Sequence, residues 1–375
     1  MTRSTKRKDS DPVRFAVVGL GYISQVAVLP AFEHAENAQL AALVSHDGEK
    51  RHRLGKKYGV YKVYSYEDYQ DCLESGDIDA VYIALPNSLH REYAVKAAEA
   101  GIHVLCEKPM AVTEAECRDM IAAAESRGVK LMVAYRLHFD TANLEAIEVV
   151  RSGLIGEPRL FTSTFTMQVR DRDNIRLDAA LGGGTLYDIG VYCINAARAL
   201  FRAEPSEVLA ISANNGEVRF REVDEMTSAV LKFPKERLAS FTTSFGAEDV
   251  ASYRVVGTEG ELELDSAYEY AESMTLRVRV GDETTKKRLG KRDQFAPELI
   301  EFSRCIKEDR TPEPSGEEGL ADVRVIRALY ESARNGRIMV LPPFTKRARP
   351  DLSQAIERPP VREPELVGAA PPSGK

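Results

Sequence analysis

The chain has 375 residues, of which 43% are hydrophobic and 29% charged, and its formal net charge is −7. This length predicts two domains with sizeable cores. Acidic and basic residues are mixed along the chain, so nothing resembles the concentrated basic face of a nucleic-acid-binding protein. Five scattered cysteines, without a CxxC pair or a Cys/His cluster, argue against a disulfide framework and against a structural zinc site. No metal is predicted.

The first twelve residues are polar and basic and lack the apolar stretch of a secretory signal. We predict a disordered tail over residues 1–12. No apolar run along the chain reaches the length of a membrane span. We therefore expect a cytoplasmic protein without a membrane partner.

Residues 13–25, VRFAVVGLGYISQ, predict a buried strand, a glycine turn and the start of a helix. Gly19 permits the tight turn, and Gly21 lets the backbone approach a pyrophosphate. The amide groups at the helix start then face that anion. An ordinary turn between strand and helix is the alternative. We predict a dinucleotide site whose first contacts are Gly19, Leu20, Gly21, Tyr22 and Ile23.

A rhythm of strands and helices continues to about residue 135 and predicts a parallel sheet. In such sheets, ligands bind beyond the carboxyl ends of the strands. We therefore predict a Rossmann dinucleotide-binding domain over residues 13–135. The predicted cofactor contacts at the later strand ends are Leu85, Pro86, Asn87, His90, Glu107, Lys108 and Arg136. For His90, a capping role in its own helix is the alternative.

The end of the second predicted strand distinguishes NADP from NAD. A fold that prefers NAD usually carries an acidic residue there, which binds the ribose hydroxyls. Here the strand ends at Ser45, and a serine hydroxyl with Lys50 and Arg51 nearby suits a 2′-phosphate. Asp47 is the residue that favours NAD, and a solvated helix start is the alternative for the two cations. We predict NADP, with NAD as the less favoured cofactor.

From about residue 136 the pattern changes to successive strands without intervening helices, which predicts an antiparallel sheet. We predict an α+β domain over residues 136–343, closed by two helices at about 297–307 and 319–335. After residue 343 the composition turns to Pro, Arg, Glu and Ala. This predicts a disordered tail over residues 344–375.

A second informative stretch, residues 181–201, reads LGGGTLYDIGVYCINAARALF. Its three glycines suit a loop that runs close to a ligand or to another chain. The helix that follows places Asp188 and Tyr192 four residues apart, on one face. The alternative is that Asp188 only complements the helix dipole and that Tyr192 only packs.

With GLGYIS, LPNSLH, CEKPM and GGGTLYDIGVY in this order, the chain resembles the Gfo/Idh/MocA oxidoreductase family, and within it the glucose–fructose oxidoreductase branch. The resemblance implies an open-faced, mainly antiparallel sheet after the Rossmann domain, and a homodimer or homotetramer formed through that sheet. It implies that Lys108, in Glu-Lys-Pro, is catalytic and orients the substrate. The Asp-x-x-x-His signature of the family falls on Asp188 and Tyr192. Tyrosine there departs from most members and matches the named branch.

The chemistry of these residues is sound on its own terms. Removal of a hydride from a carbinol carbon requires a base within reach of the hydroxyl proton. An ordinary tyrosine hydroxyl has a pKa of about 10, and a nearby ammonium group favours the phenolate. We predict Tyr192 as general acid/base, Lys108 as its electrostatic partner and Asp188 as the orienting residue. The predicted substrate contacts are Lys108, Arg176, Asp188 and Tyr192.

The predicted function is an NADP-dependent oxidoreductase that transfers hydride between the nicotinamide and an aldose such as glucose, with or without a second sugar as acceptor. The first alternative is an ordinary NAD(P)-dependent sugar or inositol dehydrogenase that releases its cofactor in each turnover. An alternative of another class is a non-catalytic nucleotide-binding regulator, against which the intact Lys108, Asp188 and Tyr192 count. A hydrolase or lyase that uses the dinucleotide in a redox cycle is a weaker alternative.

Overall fold

The computed structural model describes residues 11–346 and 348–373. Its first part is a six-stranded parallel sheet in the order β3-β2-β1-β4-β5-β6. The strands are β1 Val13–Val18, β2 Ala38–Val44, β3 Lys62–Tyr64, β4 Ala80–Ile83, β5 His103–Glu107 and β6 Leu131–Ala134. This is the strand order of a Rossmann fold, and the predicted parallel sheet is confirmed. Most of the predicted N-terminal tail, residues 1–10, lies outside the described residues.

Helices cover both faces of this sheet, because its central strands are apolar on both sides. On one face lie the helices Tyr69–Glu74, His90–Glu99 and Glu114–Arg127. On the other face lie the helix Gly48–Tyr58 and a helical segment after the glycine turn. That segment consists of a π-helical piece, a short α-helical piece and a 3-10 piece: Ser24–Val28, Leu29–Ala31 and Phe32–His34.

The helix Ala296–Lys307 also packs on the first sheet, which corrects its predicted place in the second domain. Its buried side chains include Leu299 and Phe302, and the ring of Phe302 lies 6.2 Å from that of Phe15 in β1. The apolar periodicity of a helix shows that one side is buried, but not which sheet covers it. The prediction therefore found the helix and misplaced it.

The second part is a nine-stranded sheet in the order β14-β13-β12-β11-β7-β10-β9-β8-β15. Neighbouring strands are antiparallel except for β7 and β10, which run parallel. The mainly antiparallel second sheet is thus confirmed. Two of its edge strands were not predicted, the very polar β14 and the two-residue β15. The strands are β7 Pro158–Gln168, β8 Glu207–Ala213, β9 Met226–Phe233, β10 Arg237–Ser244, β11 Gly246–Gly257, β12 Gly260–Asp265, β13 Met274–Val280, β14 Glu283–Leu289 and β15 Met339–Val340.

One face of the second sheet is buried under three helices, Thr141–Arg151, Val191–Phe201 and Gly316–Asn335. A π-helical piece, Leu186–Gly190, leads into the second of them. The other face is exposed and carries apolar side chains such as Ile211, which is 71% exposed. Short 3-10 turns complete the described structure: Asn87–Leu89, Arg136–His138, Ile175–Leu177, Val218–Phe220 and Leu352–Gln354.

The prediction of a disordered tail over residues 344–375 is wrong for the described part of that segment. Lys346 is buried, and its Nζ lies 2.5 Å from Glu313 Oε1. The backbone N–H of Ile356 donates to the Phe139 carbonyl oxygen at 3.3 Å. Val367 lies in the core beside β1. Composition alone suggested disorder, but the prolines restrict the unfolded backbone and these contacts fix the path.

Candidate active site

The turn after β1 needs its two glycines for different reasons. Gly19 has a φ of +97°, and a Cβ there would collide with the Ala84 carbonyl oxygen. A Cβ on Gly21, in contrast, would meet no atom within 4 Å. The protein itself does not require glycine at this position, whereas a pyrophosphate lying against the backbone does. The remaining predicted contacts of the turn are buried or half-buried beside it: Leu20, Tyr22 and Ile23.

The residues predicted to select NADP follow β2. The Ser45 hydroxyl accepts the backbone N–H of Asp47 at 3.3 Å, and Asp47 Oδ1 accepts the backbone N–H of Lys50 at 3.0 Å. The Arg51 guanidinium donates to the Ser45 carbonyl oxygen, and Lys50 Nζ lies 3.9 Å from Asp47 Oδ2. Asp47, the residue that favours NAD, is thus engaged as a helix cap. A hydroxyl and two cations gather beside it, a set that suits a phosphate.

The end of β4 joins the two parts of the chain. Leu85 is buried and Pro86 half-buried at this end. Asn87 Nδ2 donates to the carbonyl oxygen of Gly182, in the glycine-rich loop, at 2.8 Å. Asn87 therefore fixes the loop that precedes Asp188 against the first sheet. Contact of these three predicted residues with the cofactor stays a prediction.

His90 does not line the site. Its side chain is fully buried, and its ring nitrogens lie 3.0 Å from the Pro109 carbonyl oxygen and 2.9 Å from that of Leu85. Because both nitrogens are engaged with the main chain, the prediction that His90 contacts the cofactor is wrong. The imidazole instead ties the end of β4 to the loop that carries Lys108.

Lys108 follows β5 and reaches the start of the helix that contains Tyr192. Its Nζ donates to the Asp188 carbonyl oxygen at 2.9 Å and lies 3.3 Å from Asp188 Oδ1. Arg176 Nε donates to the other carboxylate oxygen, Oδ2, at 2.6 Å. The structure therefore brings three predicted residues together across the two parts of the chain. We refer to Lys108, Arg176, Asp188 and Tyr192 as the junction cluster.

Burial and ion pairing together set the charges of the junction cluster. Burial raises the pKa of Asp188, but Arg176 and Lys108 outweigh it and hold that pKa at about 2. Burial lowers the pKa of Lys108, whereas Tyr192, Asp188 and Glu107 raise it, and the net direction is upward. At neutral pH the cluster thus holds an ammonium, a guanidinium and one carboxylate. Such an arrangement can stabilise negative charge that develops on an oxygen atom beside it.

Tyr192 lies beside two cations. Its ring packs edge-on against Phe165 at 5.7 Å between centroids. Lys108 Nζ lies 4.9 Å from the ring centroid, and the guanidinium carbon of Arg136 lies 5.0 Å from it. The alternative that Tyr192 only packs explains the contact with Phe165. It does not explain why Lys108 and Arg136, which follow β5 and β6 of the first sheet, both lie beside a single tyrosine of the second part.

Arg136 and Glu107 are held by the protein on the buried side of the site. The Arg136 guanidinium donates to the Gln294 side chain and to the Tyr268 carbonyl oxygen. The Tyr82 hydroxyl donates to Glu107 Oε1 at 2.8 Å. Burial raises the pKa of Glu107. Arg136 and Glu107 are therefore held in place by these side-chain and backbone contacts. Their contact with the cofactor stays a prediction.

The three glycines before Asp188 pack against this chain itself, which corrects the expectation of a ligand or of another chain. A Cβ on Gly182 would collide with Val112. A Cβ on Gly183 would collide with the Arg176 carbonyl oxygen, and one on Gly184 with the Tyr330 hydroxyl. The loop is glycine-rich because it is tightly enclosed. That enclosure fixes the segments that carry Arg176 and Asp188.

Gln25 is a residue of the site region that sequence analysis missed. It follows the glycine turn, and its Nε2 donates to the carbonyl oxygens of Leu20 at 3.0 Å and Val367 at 2.9 Å. Its Oε1 accepts the backbone N–H of Val367 at 2.7 Å. In the sequence, Gln25 is compatible with the predicted helix, and no neighbouring residue indicates a further role for it. Nothing local links it to a residue 342 positions away.

Within residues 11–346 and 348–373, no three His, Cys, Asp or Glu side chains are placed to hold a metal ion. No helix in this part of the chain combines the length and the apolar character that a membrane crossing requires. The five cysteines are buried and free.

Two family models match the chain. The first, described as an oxidoreductase family with an NAD-binding Rossmann fold, matches residues 13–135. The second, the GFO/IDH/MocA C-terminal domain, matches residues 143–263. The two matches cover the first sheet and most of the strands of the second.

Relatives over nearly the full length include a D-xylose 1-dehydrogenase (NADP(+)) of Haloarcula marismortui, 33% identical over 330 residues, which are 86% of this chain and 91% of the relative. Among solved structures, an aldose-aldose oxidoreductase from Caulobacter crescentus complexed with glycerol has a TM-score of 0.84 and 39% identity, covering 88% of this chain and 100% of that one. A 3-ketoreductase from Actinomadura kijaniata in complex with NADP and TDP-benzene has a TM-score of 0.80 and 28% identity, covering 86% and 98% of the two chains.

Proposed function

Because the chain belongs to the Gfo/Idh/MocA family of oxidoreductases, we propose that it transfers hydride between NADP and the C1 carbon of an aldose. The predicted family and the predicted enzyme class are confirmed by this membership. The observation that carries the proposal is the junction cluster, in which Lys108 Nζ bonds Asp188 and lies 4.9 Å from the Tyr192 ring. The finer resemblance to the glucose–fructose oxidoreductase branch stays a prediction.

The residues present fit NADP. Gly21 leaves open space beside the backbone where a pyrophosphate binds, and Ser45, Lys50 and Arg51 offer a hydroxyl and two cations to a 2′-phosphate. NADP named in the relatives agrees with this donor set. When bound, NADP⁺ supplies the hydride acceptor at C4 of its nicotinamide.

The chain supplies the proton transfer and the charge. We assign Tyr192 as the group that takes the proton of the C1 hydroxyl during oxidation and returns it during reduction. Lys108 donates a hydrogen bond to the same oxygen and stabilises negative charge that develops on the tyrosine oxygen. Asp188 holds the ammonium of Lys108 in place, and Arg176 holds the carboxylate of Asp188. An aldose in its ring form is thereby oxidised to the lactone.

We further propose that a second aldose is the acceptor and that the cofactor stays bound between the two half-reactions. The likeness to an aldose-aldose oxidoreductase at 39% identity supports this reaction. A second candidate is a simple NADP-linked dehydrogenase, which the relatives named D-xylose 1-dehydrogenase favour at 32–33% identity. The two candidates share the site and differ in whether the cofactor leaves.

The test begins with the freshly purified full-length protein. After denaturation, absorbance and mass spectrometry of the supernatant identify the cofactor and its amount per chain. We expect NADP or NADPH at close to one per chain, and conversion of a pair of aldoses without added cofactor. An empty supernatant, with aldose oxidation only when NADP is added, would support the simple dehydrogenase. Released NAD would contradict the roles of Ser45, Lys50 and Arg51.

We also propose that the open face of the second sheet joins two copies of the chain. Four neighbouring strands, β7 to β10, present hydroxyl and apolar side chains on this face, and a shallow depression crosses it. Apolar side chains exposed there by 41–71% are Val230, Leu238, Leu160 and Ile211. Such a patch is typical of an interface. Light scattering at micromolar protein is expected to give the mass of a dimer or tetramer, and the mass of one chain would contradict the proposal.

A further inference from the structure

The described C-terminal segment crosses from the second part of the chain to the first. Arg358 Nη2 lies 2.8 Å from Glu36 Oε1, and Arg358 Nε donates to the His34 carbonyl oxygen at 3.0 Å. Further on, the Glu365 carbonyl oxygen accepts Lys57 Nζ at 3.2 Å. The segment therefore runs along the helices that flank β1 and β2, towards the carboxyl ends of those strands.

Val367 is anchored beside the glycine turn. Its side chain is 6% exposed and belongs to the apolar core that contains β1. Its N–H and C=O are both bonded by the Gln25 side chain, at 2.7 and 2.9 Å. These two hydrogen bonds attach the segment to Gln25, four residues after Gly21. The glycine turn that contains Gly21 is where the pyrophosphate of a dinucleotide binds in this fold.

Gly368 then passes the residues that suit a 2′-phosphate. A Cβ on this glycine would lie 3.0 Å from Lys50 Cε and 3.8 Å from Asp47 Oδ2, and its φ of +55° also favours glycine. A larger residue would push the segment away from Lys50. The glycine thus lets the backbone run directly over the end of β2.

The end of the segment, at Pro372 and Ser373, contacts the second part of the chain. The backbone N–H of Arg170 donates to the Pro372 carbonyl oxygen at 3.3 Å, and Arg170 Nη1 donates to the Ser373 carbonyl oxygen at 3.4 Å. Arg170 follows β7 and precedes Arg176 of the junction cluster. Residues 367–373 therefore bridge the two parts of the chain across the dinucleotide end of the site.

The composition of residues 367–373 suits a segment that lies over a ligand rather than one that fills the ligand site. Its residues are Val-Gly-Ala-Ala-Pro-Pro-Ser, so that after Val367 there is no bulky side chain to fill the space beneath. The two prolines restrict the free backbone and lower the entropy lost when the segment docks. A backbone with small side chains fills less of the space beneath it than one with bulky side chains.

We propose that residues 367–373 form a strap that closes over the adenosine half of bound NADP and slows its release. This inference rests on the proposed function, because it concerns the same cofactor. It also gives a physical reason for the cofactor to stay bound while two aldoses react in turn. Opening the strap requires the Gln25–Val367 bonds and the Arg170 contacts to break together.

The test compares the full-length protein with a variant that lacks residues 365–375. Both are loaded with NADPH, and its release into excess NADP is followed by fluorescence. We expect release from the shortened chain to be at least about tenfold faster, since most affinity differences between related complexes lie in the dissociation rate. We also expect the shortened chain to depend on added NADP for turnover.

A point variant guards against a folding defect in the shortened chain. Val367→Asp places a charge in an apolar site and should detach the strap, whereas Val218→Asp makes the same change at a side chain that is 62% exposed. We expect Val367→Asp to release NADPH as the shortened chain does, and Val218→Asp to behave as the full-length protein.

Three outcomes would overturn the strap. They are equal release rates in all four proteins, slower release after shortening, and tighter NADP binding after shortening, which would indicate a segment that blocks the site. Failure of the proposed function gives a different result, because the full-length protein would then bind no NADP or oxidise no aldose.

Discussion

Two ion clusters lie at opposite ends of the same helical stretch, and they are built differently. The junction cluster surrounds its start, whereas Arg198 lies near its end and is fully buried. Arg198 bonds Glu204 at 2.7 and 2.9 Å, Glu318 at 2.7 Å and Asp322 at 2.6 Å. We refer to these four residues as the buried cluster.

The clusters differ in how far their central cation is exposed. Four N–H groups of Arg198 are committed to carboxylates, and none of its surface is exposed. Lys108 is 13% exposed and uses two contacts, both with Asp188. An ammonium has three N–H groups, so Lys108 keeps one for a ligand. Similar charges therefore stabilise the fold at one end and face the site at the other.

The largest expected effect comes from the buried cluster. Arg198→Met would leave the buried carboxylates of Glu318 and Asp322 and the half-buried one of Glu204 without their guanidinium. Removing one partner of a buried ion pair costs about 3–5 kcal/mol. We expect the free energy of unfolding to fall by that amount in urea denaturation at pH 7. A loss below about 1 kcal/mol would show that the cluster behaves like a surface ion pair.

Lys108→Met should give the opposite pattern. We expect kcat/KM for aldose oxidation to fall by about 10²–10³-fold, the cost of removing one donor to a developing negative charge. The midpoint of urea denaturation should change far less than in Arg198→Met. Lys96→Met, at a lysine that pairs with Glu92 and is 48% exposed, is the matched control and should keep its activity.

Tyr192→Phe removes only the hydroxyl from the junction cluster. Loss of a general acid/base costs about 10²–10⁴-fold in rate, and we expect kcat to fall by at least the lower value with the fold intact. Tyr69→Phe, which also removes a buried tyrosine hydroxyl, provides the comparison. Turnover of Tyr192→Phe equal to that of the unaltered protein would contradict the assigned role.

His138 lies next to the buried cluster and makes it sensitive to acid. Its Nε2 lies 2.9 Å from Asn195 Oδ1, and burial lowers its pKa to about 4. Below pH 6.5 His138 binds a proton in the unfolded chain, whereas in the folded chain it stays neutral down to about pH 4. The free energy of unfolding therefore decreases as the pH is lowered from 6.5 to about 4. The share of His138 in that fall is about 2 kcal/mol between pH 7 and pH 5.

His138→Gln should flatten this acid limb, as measured by urea denaturation at the two pH values. The matched control is His46→Gln, because His46 is exposed. If both variants lose stability as steeply as the unaltered protein, His138 does not carry the effect.

The smallest expected effect is a shift of a pH profile. Asp188 raises the pKa of Lys108, so Asp188→Asn should lower it. If the charged ammonium is required, the alkaline loss of kcat/KM then begins at a lower pH in Asp188→Asn. If Asp188→Asn is active and its kcat/KM profile has an unchanged alkaline limb, then Asp188 does not control the charge of Lys108.

Local signals explain why much of the site could be predicted from the sequence. Gly19 and Gly21 lie between a strand and a helix, and Lys108 directly follows a strand, so each position follows from a few neighbouring residues. Asp188 and Tyr192 were paired by their spacing and by resemblance. The structure brings Lys108 to Asp188 at 3.3 Å, as the proposed roles require.

The features that escaped prediction depend on distant contacts. Val367 meets Gln25 across 342 positions, and no local pattern encodes that pairing. The sequence alone does not distinguish a His90 whose ring nitrogens contact a ligand from one whose ring nitrogens contact two carbonyl oxygens. The glycines before Asp188 could equally leave room for a ligand or for neighbouring segments of the chain. Each of these choices is made by packing between elements that are far apart in the sequence.

The most direct test of the central claim follows the hydride itself. Full-length protein is mixed with D-xylose or D-glucose carrying deuterium at C1, denatured, and its released cofactor examined by mass spectrometry. The proposed function predicts NADPH that carries the deuterium, and no such product from Lys108→Met in the same time. NADPH without deuterium, or deuterium recovered only in NADH, would contradict the assignment of the junction cluster as the site of NADP-linked aldose oxidation.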